Sequence, residues 1–193
     1  MHPIHHTTAF VIGHTDIREA DRFITLFTRE LGVVRATAQG IRKLSSKLRF
    51  SLQDFSYARV DFVRGRDLWR ITSAKKIESP ALDLQENILM FGRILEMIRR
   101  LHQGEEAAPE IFETLEKLLE ILNREQLINS EELSGLEYMA VLKILAELGY
   151  VPESTTATAF VLSDMSLGKA SEAYGLRREI LSIINKSLNE THL

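Results

Sequence analysis

The hydrophobic pattern changes its period at Ser79-Pro80, so the chain divides into two architectures. Before that point, short β-branched and aromatic runs are separated by turn signals. Thr8 to Ile12, Phe23 to Thr28, Val33 to Ala38, Phe55 to Val63 and Leu68 to Thr72 predict five strands. Within Ala58–Arg64 the alternation puts Ala58, Val60 and Phe62 on one face and Arg59 and Asp61 on the other. Glu30-Leu31-Gly32 reads as a hairpin turn in which Gly32 supplies a positive φ, and Gly65 turns the fourth strand into the fifth. Beyond Pro80 the helical period takes over. Leu84, Ile88, Phe91, Leu95 and Ile98 predict one amphipathic helix, Ile111, Leu115, Leu118 and Leu122 a second, and Leu133, Leu136, Ala140, Ile144 and Leu148 a third. Their limits fall at Gly104–Pro109, at Asn129-Ser130 with Ser130 the candidate N-cap, and at Gly149-Tyr150-Val151-Pro152. Ser154–Thr158 reads as a loop, Ala159–Leu162 as a short strand and Ala170–Leu188 as a fourth helix.

The fold class expected is therefore α+β, with a barrel over residues 1–80 and an all-α domain over residues 81–193. Five short antiparallel strands in about 80 residues are too few for a sandwich. They fit a small closed or partly closed barrel, of which the OB-fold is the common form that binds nucleic acid. Nothing in the sequence forms an apolar run long enough for a membrane helix, and the N-terminus lacks the basic segment and long apolar stretch of a secretory signal. A cytoplasmic location is the expectation. The absence of cysteine removes disulfides, thiolate nucleophiles and thiolate zinc sites together.

Charge is distributed unevenly. Residues 1–80 carry 14 basic and 8 acidic side chains, whereas residues 81–193 carry 10 and 19, so the net charge of -3 hides a basic first half. That polarity points to a polyanion met by the N-terminal half. From Leu31 to Gln53 there is no acidic residue, while Arg35, Arg42, Lys43, Lys47 and Arg49 all fall inside the window. In the polar stretch GIRKLSSKLRFSLQ these cations can spread over successive phosphates with no ion pair competing for them. Phe50 follows directly, and Arg64, Arg66 and Trp69 flank the last turn of the barrel region. Aromatic faces beside a basic groove suit single-stranded nucleic acid, because stacking needs no particular base. Phe55, Tyr57 and Phe62 are assigned to the barrel interior, and Trp69 is open to either role.

The same residues carry a resemblance. Glu19-Ala20-Asp21-Arg22-Phe23-Ile24-Thr25-Leu26-Phe27-Thr28 with Gly32 resembles the N-terminal signature of the RecO family of bacterial DNA-repair mediators. Ala38–Lys43, Ser46–Arg49, Leu52–Ser56 and Asp67–Ala74 are similar to its next blocks, and Leu145–Pro152 resembles the segment before its zinc module. The resemblance covers residues 1 to about 152. Gln39 stands where the family commonly has Lys, and Asp54 where it commonly has Pro. After Pro152, where many members place a four-cysteine zinc site, this chain has Ser154-Thr155-Thr156-Ala157-Thr158-Ala159, so zinc is expected to be absent and the C-terminal part to be a reduced version.

The resemblance implies an OB-fold followed by a helical domain and a function in recombinational repair. It implies binding of single- and double-stranded DNA, annealing of complementary strands, and help in loading RecA on DNA covered by single-strand-binding protein. The implied partners are DNA, RecR, the acidic C-terminal tail of single-strand-binding protein and, indirectly, RecA, with a nucleoid-associated location. A tail site needs basic groups beside an apolar groove, for which Arg93, Arg99, Arg100 and Lys143 are the candidates. The alternative reading is an OB-fold adaptor that contacts RNA or only proteins. His2, His5 and His6 are read as solvated side chains of a flexible terminus rather than a metal site, and His14 as structural. No phosphate-cradling loop, dinucleotide motif or acid/base pair stands out, so no cofactor and no catalytic residue is expected.

Overall fold

The computed structural model describes residues 3–66, 68–80, 85–124, 128–151 and 155–191. Of the residues singled out in the sequence, His2, Asp67, Leu84, Pro152 and Ser154 lie outside the described residues. The chain forms two compact units, one of Met1–Pro80 with His102–Pro109 and one of Ala81–Leu101 with Glu110–Leu193.

The first unit contains β1 (Ile4–Asp16), β2 (Arg22–Thr28), β3 (Gly32–Ala38), a single helical turn α1 (Leu48–Ser51), β4 (Tyr57–Arg64) and β5 (Trp69–Glu78). The strands run β1-β2-β3-β5-β4, and β4 returns to pair with β1, which closes the barrel. Neighbouring strands are antiparallel except for a short parallel contact of β3 with β5, the connectivity of an OB-fold. The period-two alternation explains the interior: Val11, Ile24, Leu26, Val34, Ala36, Val60, Phe62, Trp69 and Ile71 form one buried cluster.

Strand limits differ from the sequence reading for identifiable reasons. β1 extends well past Thr8–Ile12 at both ends, because pairing with β2 on one side and β4 on the other recruits polar residues of no strong strand tendency. His5 and His6 therefore lie in a strand rather than in a flexible terminus, and His6 Nδ1 is 2.7 Å from Asp61 Oδ1. His14 Nδ1 likewise meets Asp54 Oδ1 at 2.7 Å. β4 starts at Tyr57 rather than Phe55, whose φ of 65° belongs to the preceding turn. Gly32 has the expected positive φ, 64°. Segment 102–109, on the helical side of the sequence division, belongs to the barrel unit. It is held there by Val33 N–H donating to the Gly104 carbonyl at 2.9 Å and by the buried His102, whose ring meets Phe27 edge-on at 5.7 Å.

The second unit contains α2 (Gln85–Leu101), α3 (Pro109–Arg124), α4 (Ser130–Glu147), α5 (Thr155–Leu162), α6 (Leu167–Gly175) and α7 (Arg177–Glu190). The first three follow the predicted period and bury Met90, Phe91, Ile94, Phe112, Leu115, Leu136 and Leu145. Asn129, not Ser130, caps α4: its side chain accepts from Glu132 N–H while the Glu132 carboxylate accepts from Asn129 N–H. The threonine-rich stretch predicted as loop and strand is helix α5, because Ala157 and Phe160 lie one turn apart and are both buried. The single helix predicted over 170–188 is broken at Gly175-Leu176 into α6 and α7, at a residue of poor helix propensity. Among the described residues no helix is long and apolar enough to cross a membrane.

Candidate nucleic-acid interface

The acid-free window runs from the turn before β3 through β3, the turns at 39–47 and α1, and ends just past that helix. Its backbone is anchored from below. Ile41 and Leu52 are buried in the barrel cluster, Gly40 N–H donates to Asp21 Oδ1 at 2.7 Å, and Arg42 N–H donates to the Ala20 carbonyl at 3.0 Å. Between these anchors Lys43, Lys47 and Arg49 are exposed, with no carboxylate partner among the described residues. Beside them stand two apolar side chains that the fold leaves in water, Leu44 at 86% and Phe50 at 65% exposure. Fixed backbone, unpaired cations and an exposed aromatic ring together form a surface able to hold phosphates and stack a base.

Arg42 differs from its neighbours. The sequence window holds no acid, but the fold brings Asp16 from the end of β1 to 3.5 Å from its guanidinium, so the expectation of a cation free of ion pairs fails at this position. Arg22 and Arg42 share that carboxylate, which a hydrogen bond from Arg22 holds below its ordinary pKa, with the charge of Arg42 adding to the effect. Arg35 projects from the middle of β3, opposite Thr25, and its guanidinium lies 4.3 Å above the centre of the Phe23 ring.

A second basic group gathers where β4 turns into β5. A cleft of about 400 Å³ is lined by Thr37, Val63, Arg64, Gly65, Arg66, Leu68 and Arg70. Arg64 and Arg66 were legible from the sequence; Arg70 was missed, although its place in the alternation of β5, between buried Trp69 and Ile71, marks it as outward-facing. Trp69 must be corrected. It is 4% exposed within the barrel cluster, its ring meets Phe62 and His5 edge-on, and its indole N–H donates to Glu105 at 2.8 Å. A residue so enclosed is core and offers no face for a base. Reading also missed the pair Arg59 and Lys75, which sit directly across from each other on β4 and β5 with no carboxylate partner among the described residues. Like charges in that register destabilise a sheet unless an anion meets them.

In the helical unit the four candidate cations are separated. Arg93 makes a two-pronged pair with Glu137 at 2.7 Å, and Arg99 and Arg100 both bind Glu96, whose pKa drops to about 2 chiefly through the hydrogen bond from Arg99. Lys143 is half-buried, donates to the Val161 carbonyl, and is pushed below the ordinary lysine pKa by burial. Arg93 and Arg100 border adjoining apolar hollows of about 330 and 400 Å³ between α2 and α7, with Met97 and Leu188 common to both and Tyr138 and Val141 of α4 lining the smaller. Lys143 lines a different cleft, beside Glu110, Glu147 and Asp164. Among the described residues no group of three or more metal-ligating side chains could hold an ion.

Residues 1–80 match the family model described as Recombination protein O N terminal. Curated relatives named DNA repair protein RecO, from Dehalococcoides mccartyi strains BAV1 and CBDB1, are each 30% identical over 150 residues, which is 76% of this chain and 57% of theirs. The protein of the same name from strain 195 is 29% identical over the same length. The chain thus spans rather more than half the length of these relatives. The barrel and its family match identify residues 1–80 as a RecO N-terminal domain, and the similarity to DNA repair proteins named RecO continues past it into the helical part of the chain.

Proposed function

We propose that this chain acts in recombinational DNA repair by binding single- and double-stranded DNA through its barrel, annealing complementary strands and helping to load RecA on DNA covered by single-strand-binding protein. The observation that carries the reading is the anchored connection between β3 and β4, on which Lys43, Lys47 and Arg49 stand without acidic partners among the described residues, beside the exposed Phe50. Arg35, Arg42, Arg64 and Arg66 extend that surface. Two complementary strands repel each other as polyanions, so a cationic surface that holds both lowers the repulsion while their bases remain free to pair. This work is electrostatic and non-covalent, and it assigns no residue a catalytic role and requires no cofactor.

In this reading the barrel over residues 1–80 meets DNA and the helices over 81–193 meet proteins, in the cytoplasm and on the nucleoid. RecR is one such partner. The acidic tail of single-strand-binding protein is the other, for which the apolar groove beside Arg93 and Arg100 fits better than the surroundings of Lys143. Annealing of dye-labelled complementary oligonucleotides tests the whole proposal. Purified protein should accelerate pairing without added nucleotide. A strict requirement for ATP, or no acceleration at all, would count against it.

A further inference from the structure

Among the described residues, the carboxylate that stands against the arginines at the turn from β4 to β5 does not come from the barrel strands. Glu105, on the segment between α2 and α3 that belongs to the barrel unit, accepts from Arg64 Nη1 at 3.0 Å and from the Trp69 indole N–H at 2.8 Å. Donors converging on a two-oxygen anion are what a phosphate group also accepts. Arg66 and Arg70 line the same cleft and have no carboxylate partner among the described residues. The contact is open to exchange, since the side chains of Arg64 and Glu105 are 63% and 38% exposed. Moreover, the segment carrying Glu105 is fixed by contacts that do not involve its carboxylate: Val33 N–H to the Gly104 carbonyl at 2.9 Å, and His102 Nε2 against the Glu106 carbonyl at 2.7 Å. The carboxylate can swing away while its backbone stays.

We infer that Glu105 occupies the place of a phosphate: the cleft of Arg64, Arg66 and Arg70 takes a backbone phosphate of single-stranded nucleic acid, which displaces Glu105 from Arg64 as the strand binds. This rests on the proposed role of the barrel in holding DNA and adds a specific subsite to it. It also makes occupancy visible, because Trp69 is the only tryptophan in the chain and hydrogen-bonds to the displaced group. The breaking of an exposed ion pair sets the cost of entry, and Glu105→Gln removes that cost while its amide oxygen still accepts from the indole.

The experiment titrates the full chain with an oligothymidylate, following strand anisotropy and Trp69 emission together, and repeats the emission titration with inorganic phosphate. Emission should change in step with anisotropy, and inorganic phosphate should need far higher concentrations to produce the same change. Glu105→Gln should bind about two- to fivefold more tightly at an unchanged salt slope, and Arg64→Ala should lower that slope by about 0.7. Strand binding with constant Trp69 emission and no gain in Glu105→Gln overturns this inference while leaving the β3–β4 connection as the DNA site. Equal responses to inorganic phosphate and to the same concentration of strand phosphate overturn the assignment to a strand. No strand binding by anisotropy overturns both this inference and the proposed function.

Discussion

Two glycines with the same backbone angle separate conformational strain from contact. Gly32 has a φ of 64° and Gly40 a φ of 65°, so alanine at either position takes the left-handed conformation at a cost of about 1–2 kcal/mol. Their surroundings differ. A Cβ at Gly32 would stand 2.0 Å from the Glu106 carbonyl oxygen and 2.8 Å from its nitrogen, whereas at Gly40 the nearest atom is a flexible Lys43 methylene at 3.7 Å. Backbone cannot yield as a side-chain end can, so Gly32→Ala carries a further overpacking cost of about 1–3 kcal/mol. For a chain of this length each kcal/mol lowers Tm by roughly 2–4 °C. Gly40→Ala should thus melt roughly 2–8 °C below the parent, and Gly32→Ala a further 2–12 °C lower. Differential scanning fluorimetry measures both, and Trp69 emission should shift only in Gly32→Ala, whose displaced 102–109 segment carries Glu105. Equal melting of the two variants would refute the contact between Gly32 and that segment.

Other consequences follow from charge and packing in the helical unit. Glu96, with a pKa of about 2 against an ordinary 4.5, favours folding at pH above the ordinary value and loses that contribution as pH falls through 2; carboxyl titration by NMR should return it toward 4.5 in Arg99→Ala. Glu147 behaves oppositely, since burial and the nearby Glu110 raise its pKa: its contribution is present below 4.5 and is lost as pH rises through the folded value, so the urea midpoint of Glu147→Gln should fall less than the parent's across that window. An acidic peptide ending in apolar residues should bind more weakly to Arg100→Ala by isothermal titration calorimetry but equally well to Lys143→Ala, and the reverse order would move the tail site to the other cleft. Gly135→Ala in α4 should destabilise despite a helix-propensity gain of about 1 kcal/mol, because its Cβ would meet the Ala170 carbonyl oxygen at 1.9 Å.

What the sequence made legible was whatever depends on local period. Alternation placed Val60 and Phe62 inside the barrel and Arg59 outside, and the three-and-four spacing located α2, α3 and α4. What it concealed depends on residues distant in the chain. Asp16 reaches Arg42 only because β1 runs to residue 16, and Glu105 reaches Trp69 only because the connection between two helices packs with the barrel. The acid-free window from Leu31 to Gln53 was a true local signal, but freedom from ion pairs is a property of the fold. Helix α5 was misread because Thr and Val favour strands intrinsically, whereas burial of Ala157 and Phe160 decides the conformation here.

The account stands or falls on whether the connection between β3 and β4 holds nucleic acid through its phosphates. The direct measurement is a salt titration of oligothymidylate binding by the parent and by a variant with Lys43, Lys47 and Arg49 all changed to Ala. These side chains are exposed and unpaired among the described residues, so their removal should leave the fold intact. Each phosphate neutralised contributes about -0.7 to the slope of log K against log[salt], so the triple variant should flatten the parental slope by about 2.1 for every oligonucleotide sequence alike. A triple variant that keeps the parental slope would contradict the account and place the DNA elsewhere on the molecule.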